Sequence, residues 1–209
     1  DVERSRGLGD VYKRQEQAFN ATALKWHTCA WLLLPVLVFL AGWMHWYAAL
    51  PLMFLTAAGL APRKRKEPQT RDSLPAFPLF TRSSFLALAA FAALMTLSGW
   101  GEWVNQHPDH IVRNACLREL VASQWPVIFP DGNMLVYNTG FWLIPALAGK
   151  LAGLDAARVL VVLWGAWGLF LAWLWLCVFS GRRSLLLALL MAAFGSLLNF
   201  QCWLGLDLF

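Results

Sequence analysis

Apolar and polar positions alternate along this chain in long blocks, not at the short period of a soluble domain. From Thr28 to Leu60 there are 33 residues without Asp, Glu, Lys or Arg. As one helix they would be about 50 Å long, against about 30 Å for the hydrocarbon core of a bilayer. The middle of the block reads Gly42-Trp43-Met44-His45-Trp46-Tyr47, amphipathic aromatics suited to the headgroup level. The pattern therefore predicts a transmembrane hairpin over 16–62, with two short spans at about 26–43 and 46–61. Arg63-Lys64-Arg65-Lys66 follows, then Pro68, Arg71, Pro75 and Pro78. A proline-rich segment of this kind breaks any helix, and its cations make 63–82 a cytoplasmic linker.

A third span is expected at about 84–103, ending in Trp100 and Trp103. The next residues are polar, with Asn105, Gln106, His107, Asp109, His110, Arg113, Asn114, Arg118 and Glu119 close together. This places 104–158 outside the cytoplasm. Further spans are expected at 159–179, stopping at Gly181-Arg182-Arg183, and at 184–204. In the last of these, Ala188, Ala192 and Ser196 lie four apart, as on a helix-packing face. The segment from Asn133 to Gly149 is apolar but interrupted by Asn138, Thr139, Gly140 and Pro145. It either crosses the membrane or lies on the outer face as a surface or re-entrant helix. The interruptions favour the outer face, because polar backbone at membrane depth needs partners.

The two ends carry expectations of their own. Residues 1–15, DVERSRGLGDVYKRQ, hold seven charges together with Gly7, Gly9 and Asp10, and they resemble the translation of a sequencing adapter. They are expected to be disordered and without function. The chain also stops just after an apolar run, and the whole is expected to be a fragment of a longer protein.

Composition sharpens this picture. The 209 residues are 59% hydrophobic and 14% charged and include 13 Trp, with a mean hydropathy of +0.52. A soluble domain carries about 25% charged residues, so a water-facing surface cannot be built from these. An all-α polytopic transmembrane bundle with an outer loop of surface helices follows. The net charge of +5 sits in short clusters between apolar runs, which points to membrane orientation and away from nucleic acid. Cys29, Cys116, Cys177 and Cys202 show no paired spacing and read as small hydrophobes.

Candidate chemistry gathers in the outer loop. Asp109 can act as a general base just outside a span, and Pro108-Asp109 before Ile111, Val112, Cys116 and Leu120 also reads as a helix N-cap. Glu102, between Trp100 and Trp103, is a second acidic candidate whose carboxyl would be pushed up by poor hydration. Arg113, Lys150 and Arg158 can hold a phosphate, although Arg113 is also spaced for an i,i+4 ion pair with Asp109. His107 and His110 lack a third metal ligand, so no metal site is assigned. Trp125 and Tyr137 belong to aromatic stretches flanking a turn at Asp131-Gly132-Asn133.

Taken together, Ser98-Gly99-Trp100-Gly101, Pro108-Asp109-His110, Arg113-Asn114-Ala115, Trp125-Pro126-Val127 and Tyr137 to Leu151 resemble a group of bacterial polytopic membrane proteins. Their layout is similar to the GT-C glycosyltransferases, enzymes that use polyprenyl-phosphate-linked sugars. The resemblance implies residence in the bacterial inner membrane and contact with membrane lipid and a polyprenyl-phosphate sugar donor. It casts Asp109 as the base on an acceptor hydroxyl, with Arg113 or Arg158 neutralising the lipid phosphate. His110, Asn114, Trp125 and Tyr137 would contact substrate, and Pro108–Ser123 and Tyr137–Leu151 would be two surface helices. Many GT-C loops pair two acids, whereas here His110 follows Asp109, so a divalent metal has only weak support and the cofactor stays open. The competing class is a non-enzymatic membrane protein, a transporter or an assembly subunit.

Overall fold

A computed structural model describes residues 2–60, 81–104, 106 and 108–193, with side chains from Thr22 onward. The linker expected at 63–82 therefore lies almost wholly outside the described residues, as does the second half of the span expected at 184–204. The helices among the described residues run in the order α1 (Val2–Trp43), α2 (Trp46–Leu60), α3 (Arg82–Leu97), α4 (Pro108–Ala122), α5 (Gly140–Ala152) and α6 (Leu154–Ser180). Residues 185–193 are also helical. The described residues contain no strand, only an isolated bridge between Ile128 and Met134.

The break between α1 and α2 falls at Met44 and His45, inside the aromatic segment. At its other end α1 runs back to Val2, across residues that their composition marks as unstructured. Helix propagation explains this difference. Once an apolar helix is nucleated, each added residue gains a hydrogen bond, and Glu3, Arg4, Arg6 and Lys13 are good helix formers.

Two boundaries differ from the hydrophobic pattern. α3 ends at Leu97, not at 103, because Gly99 and Gly101 take positive φ values of 90° and 88° and turn the chain. α6 starts at Leu154, five residues before the apolar run becomes continuous. Gly153, at φ 91°, ends α5 and sets the new helix off.

Two helices are long and apolar enough to cross a membrane, Thr22–Trp43 within α1 and the whole of α6; α2, α3 and α5 are apolar but shorter. Large apolar side chains point outward in quantity, among them Leu32, Trp46, Phe54, Leu55, Phe85, Leu163 and Phe179. On α2 only Ala49 is buried. Apolar surface on this scale suits an apolar surrounding.

The chain divides into two compact units. The first comprises Asp1–Cys29, Glu67–Phe91 and Trp167–Phe209. In it His27 meets the Trp167 ring edge-on at 5.6 Å, and the Trp175 indole donates to Thr28 Oγ1 at 2.9 Å. Arg183 donates to Ser84 Oγ and lies over the Trp173 ring.

The second unit comprises Ala30–Lys66 and Ala92–Ala166. Its core joins α4 and α5 to the start of α6 through Leu117, Leu120, Trp142, Leu143, Ala157 and Val161. Gly149 makes this approach possible, because a Cβ there would stand 2.5 Å from Val121 Cγ2 and 2.9 Å from Ala157 Cβ. Gly149→Ala is therefore expected to cost about 1–3 kcal/mol through overpacking. A lowered unfolding midpoint in micelles would show it, and an unchanged midpoint would mean that the α4–α5 contact is loose.

Candidate functional site

The turn after α3 positions the densest polar cluster of the second unit. Gly101 sits where a Cβ would press on the Trp103 ring and Val162. Glu102 follows at φ 67°, the one non-glycine residue with positive φ among the described residues. Such a conformation is costly for a residue with a Cβ and is held by its surroundings. Here two arginines hold it. Glu102 Oε2 accepts from Arg118 Nη2 at 2.7 Å and also from Arg158 Nη2. Arg158 Nη1 donates to Asp155 Oδ1 at 2.8 Å. The Glu102 side chain is 10% exposed, that of Arg158 24% and that of Arg118 55%.

Burial pushes the Glu102 carboxyl up, but the hydrogen bonds and charges of Arg118 and Arg158 outweigh it, so the group lies below the ordinary carboxylate value. This corrects the expectation of a raised carboxyl. Glu102 is paired and ionised, not stranded.

Around Trp100 a second set of candidates converges. Its ring stacks on Trp142 at 5.4 Å and meets Phe141 at 5.2 Å. His110, buried, lies edge-on at 5.8 Å, and the Arg113 guanidinium lies 5.6 Å from the ring centroid. Asn114, also buried, donates to Gln106 Oε1 at 2.7 Å, and Gln106 Nε2 donates to the Gly99 carbonyl at 2.8 Å. His110 and Asn114 thus hold the α3–α4 turn in place from one face of α4.

Asp109 is in the first turn of α4, which begins at Pro108. It is therefore inside the helix and not the N-cap; Pro108 suits the first helical position, where an N–H would have no intrahelical acceptor. Its carboxylate is 68% exposed and lies 3.9 Å from Arg113, the i,i+4 pair the spacing predicts. A carboxylate in the first turn also meets the positive end of the helix dipole.

Lys150 is exposed, but its head group is taken up by protein. Its ammonium donates to the carbonyls of Val121 and Ser123 at the end of α4 and lies 5.1 Å from the Trp125 ring centroid. Trp125 itself donates to the Leu120 carbonyl at 2.8 Å and packs on Trp43 at 5.2 Å. Both residues therefore fix the end of α4. Tyr137 is exposed, and its carbonyl accepts the Thr139 N–H at 2.6 Å. Asp131 takes the Asn133 N–H at 3.1 Å and its side-chain amide at 2.7 Å. Those bonds draw its carboxyl below the ordinary value and close the turn. Cys116 is buried, which pushes its thiol up to about 11.

Of the candidates read from sequence, the structure brings Glu102 to Arg158, and His110 and Arg113 to Trp100. It puts Lys150, Trp125 and Tyr137 elsewhere. Sequence reasoning missed Arg118 and Asp155 as members of the Glu102 cluster, and Trp100 as the centre of the aromatic one. Among the described residues no three of His, Cys, Asp and Glu lie close enough to share a metal ion. Comparison with protein families, with curated proteins and with solved structures found no match.

Proposed function

We propose that the chain is part of a polytopic protein of the bacterial inner membrane with five spans, α1, α2, α3, α6 and 184–204. We further propose that it is a GT-C-like glycosyltransferase that moves a sugar from a polyprenyl-phosphate carrier to an acceptor at the outer face. The observation that carries this reading is the order of elements between two apolar helices: α3, a tight polar turn, the packed short helices α4 and α5, then α6. α5 holds Pro145 and follows Asn138 and Thr139, and such interruptions need partners at membrane depth, which favours its lying on the outer face. Reporter fusions after Leu151 and after Arg183 test that topology, since a crossing α5 reverses both.

Asp109, exposed at the start of α4, is the base in this reading, and Arg113 beside it binds the departing phosphate. Asp109→Asn in the full-length protein is expected to reduce transfer from a lipid-linked sugar by about 10²–10⁴-fold with membrane insertion intact. Undiminished transfer would remove Asp109 from the mechanism. A second reading, a non-enzymatic transporter or assembly subunit, draws support from Glu102, whose oxygen is already taken by two arginines as in a structural tie.

A further inference from the structure

Between α4 and α5 the chain forms a tight hairpin with two apolar faces. Phe129 N–H donates to the Asn133 carbonyl at 2.8 Å and Leu135 N–H to the Val127 carbonyl at 3.0 Å, with Ile128 and Met134 bridged between them. In such a pair Ile128 and Met134 share one face, and Val127, Phe129 and Leu135 take the other. The second face is accounted for, since Val127 is buried in the α4–α5 core and Phe129 and Leu135 pack against it. On the first face Ile128, Met134 and Val136 are exposed, Val136 at 88%. A hairpin between a core and water alternates apolar inside with polar outside. Here the outward positions hold Ile, Met and Val instead.

The root of the hairpin points to what covers that face. Trp125 packs on Trp43 at 5.2 Å, and a Cβ on Gly42 would stand 2.8 Å from its ring. Trp43 is the last residue of the apolar stretch Thr22–Trp43, so the hairpin springs from the end of a helix long enough to cross a membrane. From Gln124 to Gly149 the chain carries one charged residue, Asp131, and it sits in the turn, bonded to Asn133. Tyr137, exposed just beyond the hairpin, adds an amphipathic ring suited to the headgroup level. A stable protein interface takes about 20–30 residues a side, far more than this face offers. A lipid surface needs no such minimum where spans already hold the protein in place. We propose that the hairpin 127–136 lies flat on the outer leaflet, with Ile128, Met134 and Val136 at the boundary of headgroups and acyl chains and Asp131 among the headgroups. This assignment rests on the polytopic membrane reading and not on sugar transfer. The hairpin is then an anchor that holds the end of α4 and the start of α5 at the level where a lipid-borne molecule is presented.

The test uses the full-length protein, its native cysteines replaced, in nanodiscs of phosphatidylethanolamine and phosphatidylglycerol. Single cysteines are introduced and spin-labelled as Ile128→Cys, Met134→Cys and Val136→Cys on the outer face, Asn133→Cys in the turn, and Leu163→Cys on α6. All five positions are exposed, so the labels replace no core contact. Collision rates are then measured with oxygen, which concentrates among acyl chains, and with a water-soluble nickel chelate. The expected result is that oxygen dominates at 128, 134 and 136, at depths of about 5–10 Å, and at 163, while nickel dominates at 133. Nickel dominating at the three hairpin positions with oxygen dominating at 163 overturns the anchor and leaves the membrane reading standing. Nickel dominating at 163 as well overturns the membrane reading and the anchor with it. Low collision rates with both reagents at 128, 134 and 136 assign the face to a protein surface, a second copy or another part of the chain, and overturn the lipid assignment. Oxygen dominating at 133 means that the hairpin enters the leaflet turn first, which overturns the flat arrangement.

Discussion

Glu102→Ala is expected to destabilise the protein by about 2–3 kcal/mol, below the 3–5 kcal/mol typical of a broken fully buried pair because Arg118 remains in reach of water. The substitution leaves Arg158, largely buried, with only Asp155 to balance it, and it releases the turn 98–104 from α4 and α6. The effect should also depend on pH, with a definite sign. The folded carboxyl lies below its ordinary value because hydrogen bonds and charge from Arg118 and Arg158 overcome the burial that raises it. Its contribution is therefore fully present above the unfolded value of about 4.3, and it is lost as pH falls through the lower folded value. Chemical unfolding in micelles at pH 7 and at pH 3 measures this directly. The gap between wild type and Glu102→Ala should shrink at the acid end, and a gap of the same size at both would mean that the ion pairs contribute nothing.

Trp142→Ala should cost more, about 3–5 kcal/mol, as expected for deletion of a buried aromatic. Trp142 is 2% exposed and lies at the centre of the α4–α5 core. Its ring also supports Trp100 and Phe141, and Trp100 in turn carries the His110 and Arg113 contacts. The substitution should thus loosen the candidate site as well as the core. Comparison with Trp46→Ala separates packing from surface effects, since Trp46 is 74% exposed and should change the unfolding midpoint in micelles by less than about 0.5 kcal/mol. Equal losses from both would argue that the aromatic cluster is not a core.

Much of the architecture was legible because it rests on local rules. The aromatic segment around His45 marks a helix break, Pro108 starts a helix, and Asp131-Gly132-Asn133 closes a turn, each through residues within a few positions of one another. Arg113 four residues after Asp109 gives its ion pair from spacing alone. The Glu102 cluster was not legible in this way. Its partners are 16 and 56 residues away in sequence, and no periodicity links them. An isolated acid between two tryptophans reads as poorly hydrated until the fold brings cations to it. Lys150 shows the same limit from the other side. A lysine in an outer loop reads as a phosphate ligand, but the end of α4 supplies carbonyls and an indole face that take up its charge. Helix ends at Leu97 and Leu154 escaped because glycine conformation, not hydrophobicity, decides them.

The length of α6 has a consequence for where the Glu102 cluster can lie. Its 27 residues make about 40 Å of helix, some 10 Å more than a hydrocarbon core of about 30 Å. If the helix stands upright with Ser180 at the inner boundary, its first two turns rise above the hydrocarbon and carry Asp155 and Arg158 with them. In that arrangement the helix acts as a fixed post. The height of the carboxylate–arginine cluster above the acyl chains is then set by the residue count of α6, and deleting one turn from its middle would lower the cluster by about 5 Å toward the lipid.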